Sequence, residues 1–422
     1  MCRAHAVLTG GAAGEGSLPR PVRAPQAWWP GPQYWWQGIN RVPDRGKVVV
    51  MRIVISMPFG HASCRRVNAE SSIRLLRHHV IELDALDILV VVDNETDTLS
   101  SVDEGAPQTP EVAHLAARTL PSRREHGHPC KVVFDQLCCA CHGLSVLLTG
   151  QRGAQRHCIL FDVGPYADLW LANARRLAVD LSTIELVFLS HWHFDHSGGF
   201  PEVVAAISAA RRAARLRPPV VELHPNRPDQ RGILVEGTML MLPQEPTFGD
   251  MARAGGAVVK RADAHPLSDD FFFASGAIER VTDYETGLAG HHSFRGETCE
   301  PDPWIMDERF VAARVRGHGV CVFSACSHAG VVNACLHAKK TFVADRIALI
   351  LGGFHLAGKA METRIEPTVR DLKDKIQPRW VAPGHCTGWR AKVALANSFA
   401  PGRYAPSVVG SRYHLSTLDA EA

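Results

Sequence analysis

No stretch of this chain approaches the ~20 consecutive apolar residues that a bilayer-spanning helix requires, and its N-terminus carries no continuous hydrophobic core of the secretory type. No membrane partner is therefore expected, and a cytoplasmic location is the default. Charge of one sign is scarce too: 46 Lys and Arg against 43 Asp and Glu leave a formal net charge of +3, which gives no basis for nucleic-acid binding. Regular cysteine spacing is also missing. The 12 cysteines are scattered over 422 residues, so no disulfide framework is implied and reduced thiols are expected. Cys138, Cys139 and Cys141 cluster, but with no second pair at zinc-ribbon spacing they read as buried or incidental thiols. What is left is the composition of an ordinary globular enzyme with a small-molecule substrate, its oligomeric state open.

Against that plain background one stretch stands out, Leu189-Ser190-His191-Trp192-His193-Phe194-Asp195-His196-Ser197-Gly198-Gly199. A short apolar run, Leu186 to Leu189, suits a buried strand, and the polar residues begin where it ends. His191 and His193 are two apart, so in extended backbone their imidazoles leave one face and grip one cation. Asp195 and His196 turn away from that pair and reach a second metal, at the roughly 3.5–4 Å separation of two-metal hydrolytic sites. Ser197 and the two glycines let the backbone close in and start a helix.

The H-x-H-x-D-H run resembles the signature of the metallo-β-lactamase superfamily, which implies an α/β (α+β) fold, an αββα sandwich with metals at one edge. Further segments narrow the resemblance: Leu89 to Asn94, His142 to Leu147, Ile159 to Gly164, Ser324 to Gly330, Gly352 to Leu356 and Pro383 to Gly388 occur in this order. Together they resemble the branch typified by the archaeal dihydropterin and ribofuranosylaminobenzene-phosphate synthase. The resemblance spans about Leu83 to near the C-terminus, giving a metal-dependent hydrolase domain over 81–422 and an irregular N-terminal extension over 1–80. That extension is rich in Gly, Pro and Arg, with Trp28-Trp29 and Trp35-Trp36 and a possible helix around Ser71 to His79.

Along the rest of the chain, Ile88 to Val92 reads as a strand, and the polar segment Asp93 to about Lys131 as an insertion able to form a lid or wall over the metals. Strands follow at Leu144 to Thr149 and Cys158 to Phe161, joined by a turn at Gly150 to Gly153. Asp162 ends the second strand, and the resemblance implies that it supports the metal loop by hydrogen bonds. Helices are expected over Tyr166 to Leu181, Phe200 to Leu216 and Glu366 to Ile376, and strands over Val220 to Leu223, Arg346 to Leu351 and Arg379 to Ala382. Asn226 to Pro266 reads as loop and short strand, and Val311 to Val315 with Val320 to Phe323 as a hairpin.

Several residues outside the loop are candidates for the site. His328 offers a third imidazole to the His191 and His193 metal, or caps the helix that follows. His385 completes the Asp195 and His196 site unless His355 does so, the other being a substrate contact or proton donor. His224 lies near the substrate or caps its strand, and Arg280 is a substrate candidate weakened by Glu279, which stands where this branch usually has proline. Ala325-Cys326 replaces the Gly-Asp pair whose carboxylate, by the resemblance, bridges both metals elsewhere in the superfamily, so Cys326 is a soft ligand, a substrate contact or packing.

Two divalent ions, zinc first with manganese or iron as alternatives, would activate water near neutral pH and polarise an ester or phosphoryl oxygen. Asp195 would orient the nucleophile and a rim histidine such as His355 would protonate the leaving group. The expectation is thus a metal-dependent hydrolase or transferase acting on a small phosphorylated or pterin-like substrate, of phosphodiester or ester type. A synthase-type condensation, a diiron oxidoreductase and a non-catalytic ligand sensor are the alternatives.

Overall fold

The computed structural model describes residues 80–97, 99–108, 123–130, 137–344 and 346–417, all within the unit Arg65–Ala422. The expected extension up to residue 79, its tryptophans and the possible helix at Ser71 to His79 lie outside the described residues. Among the described residues no helix is long and apolar enough to cross a membrane.

Two seven-stranded sheets stack face to face. The first runs Ala257–Lys260, Val220–Leu223, Ile184–Phe188, Gln155–Phe161, Ser145–Arg152, Ala85–Val92 and Arg412–Ser416. The second runs His265–Leu267, Phe272–Ala274, Val311–Val315, Gly319–Ser324, Ile347–Gly353 and Trp380–Gly384, with Glu82–Leu83 paired to Val311–Val315. The central strands are apolar on both faces, because each face is covered. Ile159, Phe161 and Phe188 point between the sheets, whereas Leu160 and Val187 point outward under a helix layer. Phe323 and Val322 divide the same way on the second sheet. Helices Ala167–Arg176 and Phe200–Ala213 cover the first sheet through Trp170, Val203 and Ile207. Val331–Phe342 and Trp389–Phe399 cover the second through Ala334 and Leu395. This is the expected αββα sandwich, and each such fully buried Phe or Leu contributes about 1.5–3 kcal/mol.

The parallel strands decide where the chemistry sits. Ile184–Phe188 pairs in parallel with both its neighbours, and Ile347–Gly353 does the same in the other sheet. The carboxyl ends of Ile184–Phe188, Gly319–Ser324, Ile347–Gly353 and Trp380–Gly384 therefore deliver the loops bearing His191 to His196, Cys326 with His328, His355 and His385. A crevice at carboxyl strand ends is the general ligand position in such sheets.

The structure differs from expectation in instructive places. The Gly150 to Gly153 turn is shorter, since pairing runs on to Arg152 opposite Gln155. Glu366 to Ile376 is split into the α-helix Ile365–Asp371 and a wider π turn, Leu372–Ile376. Asn226 to Pro266 is more ordered than expected. It contains the hairpin Gln230–Val235 and Thr238–Met241, a short helix Phe248–Arg253, and the edge strand Ala257–Lys260. That hairpin joins His291–Arg295 and Thr298–Pro301 in a separate four-stranded antiparallel sheet.

Candidate metal centre

Asp162, fully buried, anchors the loop that follows Ile184–Phe188. Its carboxylate accepts the Ser190 N–H and Oγ–H at 2.7 Å each, and its Oδ2 lies 2.8 Å from His196 Nδ1. These bonds tie the start of the loop to His196. Asp307 accepts the Trp192 N–H at 2.7 Å and pairs with the buried Arg231 at 2.6 Å, while Glu308 accepts the N–H groups of His328 and Ala329 at 2.7 and 2.6 Å. Asp162, Ser327, His355 and His385 all have positive φ, a backbone state of order 1–3 kcal/mol above the usual for such residues. The loops are held in place by their surroundings instead of relaxing.

The hydrogen-bond network fixes which ring nitrogens carry protons. The Asp302 carbonyl only accepts, so His291 Nδ1, 2.8 Å away, donates to it and His291 Nε2 is left bare. That bare nitrogen is 3.0 Å from His193 Nε2, which must then donate, leaving His193 Nδ1 bare. Ser190 Oγ gives its proton to Asp162 and accepts from His191 Nδ1 at 2.8 Å, so His191 Nε2 is bare as well. Two lone pairs therefore face each other at 3.0 Å. His328 packs against both rings, at 5.0 and 4.9 Å between centroids, and both of its buried ring nitrogens lack a partner.

A second group repeats the pattern. His196 donates through Nδ1 to Asp162, and His385 through Nδ1 to Asn94 Oδ1 at 3.0 Å. Their Nε2 atoms then face Asp195 Oδ2 at 3.5 and 3.3 Å and Cys326 Sγ at 3.1 and 3.3 Å. A carboxylate, a thiol and two imidazoles converge there, a donor set suited to a cation. Tetrahedral zinc with its usual N and S bond lengths sets neighbouring ligand atoms about 3.3–3.6 Å apart, close to these spacings of 3.1–3.5 Å.

Electrostatics point the same way. Burial first, then mutual repulsion, holds His191, His193 and His328 well below the ordinary imidazole value, which keeps them neutral as ligands must be. Burial likewise brings His385 and His355 down to about 4. Burial opposes charge on Asp195 and His196 too. Their attraction overrides it, lowering the carboxyl and raising the imidazole, helped by Asp162 on the His196 side. The second group thus draws a positive charge to itself.

A cavity of about 300 Å³ opens over both groups. His142, His193, Asp195, Cys326, His328 and His355 line it, facing Tyr166, Phe194, Ile233, Leu242, Pro243 and Leu288. None of the described residues lining it is Lys or Arg. A larger groove of about 730 Å³ lies on the outer face of the first sheet, beside Arg156, Leu177 and His414, away from the histidines.

The structure brings His191, His193, Asp195, His196, His328 and His385 together, with His355 beside His328 at 4.4 Å between ring centroids. Two substrate candidates are placed elsewhere. His224 is buried, its Nδ1 accepting the Asn226 N–H at 3.1 Å and its carbonyl accepting the Trp192 indole, so it serves the turn after its strand. Arg280 donates to the carbonyls of His328 and Trp304 and lies over the Trp304 ring, which makes it a prop for the His328 loop. Among the described residues, Ile233, Leu242, Pro243 and Leu288 supply the outer wall expected of the Asp93 to Lys131 insertion, part of which lies outside them.

Residues 140–297 match the family model described as the metallo-beta-lactamase superfamily. Over those residues the chain is similar to the metallo-β-lactamase superfamily. Among superfamily relatives, the Methanocaldococcus jannaschii protein named 7,8-dihydropterin-6-methyl-4-(beta-D-ribofuranosyl)-aminobenzene-5'-phosphate synthase is 27% identical over 266 residues, 61% of this chain and 85% of that one. An uncharacterised protein of the same organism is 24% identical over 278 residues, 62% of this chain and 90% of that one. A crystal structure of a metal-dependent hydrolase of the beta-lactamase superfamily superposes with a TM-score of 0.53 at 22% identity, covering 78% of this chain and 99% of that one, and shares the fold.

Asn94, His142, Arg231, His291, Asp307 and Glu308 also build the site. His142 and Asn94 lie in stretches that carry the resemblance, and they meet through Asn94 Nδ2 and His142 Nδ1 at 2.9 Å. His291 and Glu308 have no local signature, since their partners are 98 and 20 residues away.

Proposed function

We propose that this chain is a metal-dependent hydrolase with two divalent ions, zinc foremost, held by His191, His193 and His328 on one side and by Asp195, His196 and His385 on the other. The carrying observation is the convergence of bare ring nitrogens, with no donor to satisfy them, on two points under one cavity. Ions bound there supply Lewis-acid polarisation and activate water at neutral pH. Asp195 orients the attacking oxygen. His142, its side chain 66% exposed and its Nε2 3.4 Å from Asp195, carries protons between the site and solvent. His355, neutral at working pH because burial holds it to about 4, orients the substrate by hydrogen bonding and is not a charged acid.

The cavity walls choose the substrate class. Tyr166, Phe194, Leu242 and Leu288 offer apolar surface to a flat, uncharged ring, and with no cationic side chain among the described residues of the lining the ions take the phosphoryl or ester oxygen. A small phosphodiester or ester bearing an aromatic or pterin-like ring satisfies both. The 27% identical relative named as a synthase favours a second reading, condensation of a pterin-like substrate with loss of a phosphorylated leaving group. The test is a screen of aryl phosphodiesters, aryl esters and lactones on chelated and then metal-reconstituted protein. Metal-dependent turnover of one class supports the reading, and none in any class with two ions bound would overturn hydrolysis.

A further inference from the structure

We propose that Asn94 is a positioning residue that sets opposite tautomers on two neighbouring histidines, so that His142 holds its proton on the nitrogen facing Asp195 while His385 keeps that same nitrogen bare. This rests on the role given to His142 above and adds a direction to it. Asn94 lies two residues beyond strand Ala85–Val92, and its side-chain amide meets three groups. Oδ1 lies 3.1 Å from the Gly143 N–H nitrogen and 3.0 Å from His385 Nδ1, and Nδ2 lies 2.9 Å from His142 Nδ1. The two imidazoles are neighbours, 4.8 Å apart between ring centroids.

Gly143 decides which way the amide faces. A backbone N–H can only donate, so the atom beside it is the amide oxygen and the atom beside His142 is the NH2 group. That group has no lone pair to offer, hence His142 Nδ1 accepts and the neutral ring holds its proton on Nε2. This nitrogen lies 3.4 Å from Asp195 Oδ2, and His142 lines the cavity. The amide oxygen only accepts, so His385 is protonated on Nδ1 and its Nε2 is bare. Buried Asp93 holds the arrangement from behind: its carboxylate accepts the Asn94 and His385 N–H groups at 2.6 and 2.7 Å, and its carbonyl accepts the Cys141 N–H at 3.1 Å.

A plain structural tie would not need asparagine. Aspartate would accept from Gly143 and His385 equally well, but it has no N–H for His142, whose Nδ1 would then face an acceptor. With asparagine, the inward nitrogen of His142 is a donor, suited to a substrate that presents a phosphoryl or ester oxygen.

The test is a long-range proton–nitrogen correlation spectrum of the full-length chain, isotopically labelled at histidine, recorded at mildly alkaline pH without metal and again with zinc. It reads which nitrogen of each ring bears the proton, and His142→Gln identifies the His142 signals by their loss. In the wild type, His142 should be the Nε2–H form and His385 the Nδ1–H form. In Asn94→Asp, His142 should carry a proton on Nδ1, with His385 unchanged. His318, whose Nε2 donates to the Ser416 carbonyl at 2.7 Å, should read Nε2–H in both proteins and so reports an intact fold. A wild-type His142 protonated on Nδ1 would overturn the proposal whether or not the variant folds, and a His142 pattern left unchanged by Asn94→Asp would also overturn it. No substrate enters the measurement. Failure of the substrate screen would therefore leave the tautomers standing, and failure here would leave metal-dependent hydrolysis standing.

Discussion

The floor of the cavity and its outer wall hold their side chains in different ways. On the floor, His191, His193 and His385 each commit one ring N–H to a named acceptor and present the other nitrogen bare, His196 is held by Asp162, and Asp162 and Glu308 fix the loops behind them. The wall is a hairpin whose Ile233 and Leu242 side face the cavity, while Leu234, Val235, Leu240 and Met241 are 43–52% exposed. Directional bonds set distances between particular atoms. Apolar contact sets volume and tolerates change, so the floor should govern whether chemistry happens and the wall which molecule undergoes it.

Substitution on the floor should therefore have the largest effect. His193→Ala removes a bare nitrogen and should lower kcat on the order of 10³-fold or more, about 4 kcal/mol, with an unchanged circular dichroism spectrum. Unchanged turnover in a folded variant would erase the distinction drawn here.

The metal-free protein should also report the floor through its pH dependence. His291, His355 and His385 are each held to about 4 by burial, against an ordinary value of 6.5. Between 6.5 and 4 the unfolded chain therefore takes up protons that the native fold refuses. The stability contribution is complete above 6.5 and lost as pH falls through 4. Thermal melts of chelated protein should show Tm dropping by roughly ten degrees across that window, consistent with about 3 kcal/mol or more. A flat profile would mean that these rings are not buried neutral.

Behind the floor the effects should be smaller. Asp162→Asn leaves the ligands in place but weakens their orientation, and should cost about 10–100-fold in metal affinity, measured by competition with a chelating indicator. Leu242→Ala should do least. It should raise KM for a ring-bearing substrate by roughly tenfold, about 1.4 kcal/mol, with kcat nearly unchanged. A kcat loss matching that of His193→Ala would make the wall part of the catalytic machinery.

The same division explains what the sequence could show. His191 to His196 are legible because four ligand-type residues crowd one strand end, and a strand covered on both faces reads as a continuous apolar run, as in Ile347–Gly353. His328, His355 and His385 could be proposed because each follows such a strand. The supporting partners are less visible, since Glu308 and Asp307 act through backbone N–H groups that no side-chain pattern advertises. The wall is the least visible. Its strands Gln230–Val235 and His291–Arg295 pair across a long sequence separation, and their short mixed runs resemble loop until that pairing forms. Neither His224 nor Arg280 lines the cavity, and position along the chain alone does not say which way such a side chain faces.

The most direct test of two metal positions sharing one cavity is an equilibrium zinc titration of chelated protein, wild type beside His385→Ala, with bound metal counted per chain. The wild type should saturate at two ions and His385→Ala at one, retained by His191, His193 and His328. Saturation of both proteins at the same number would contradict the assignment.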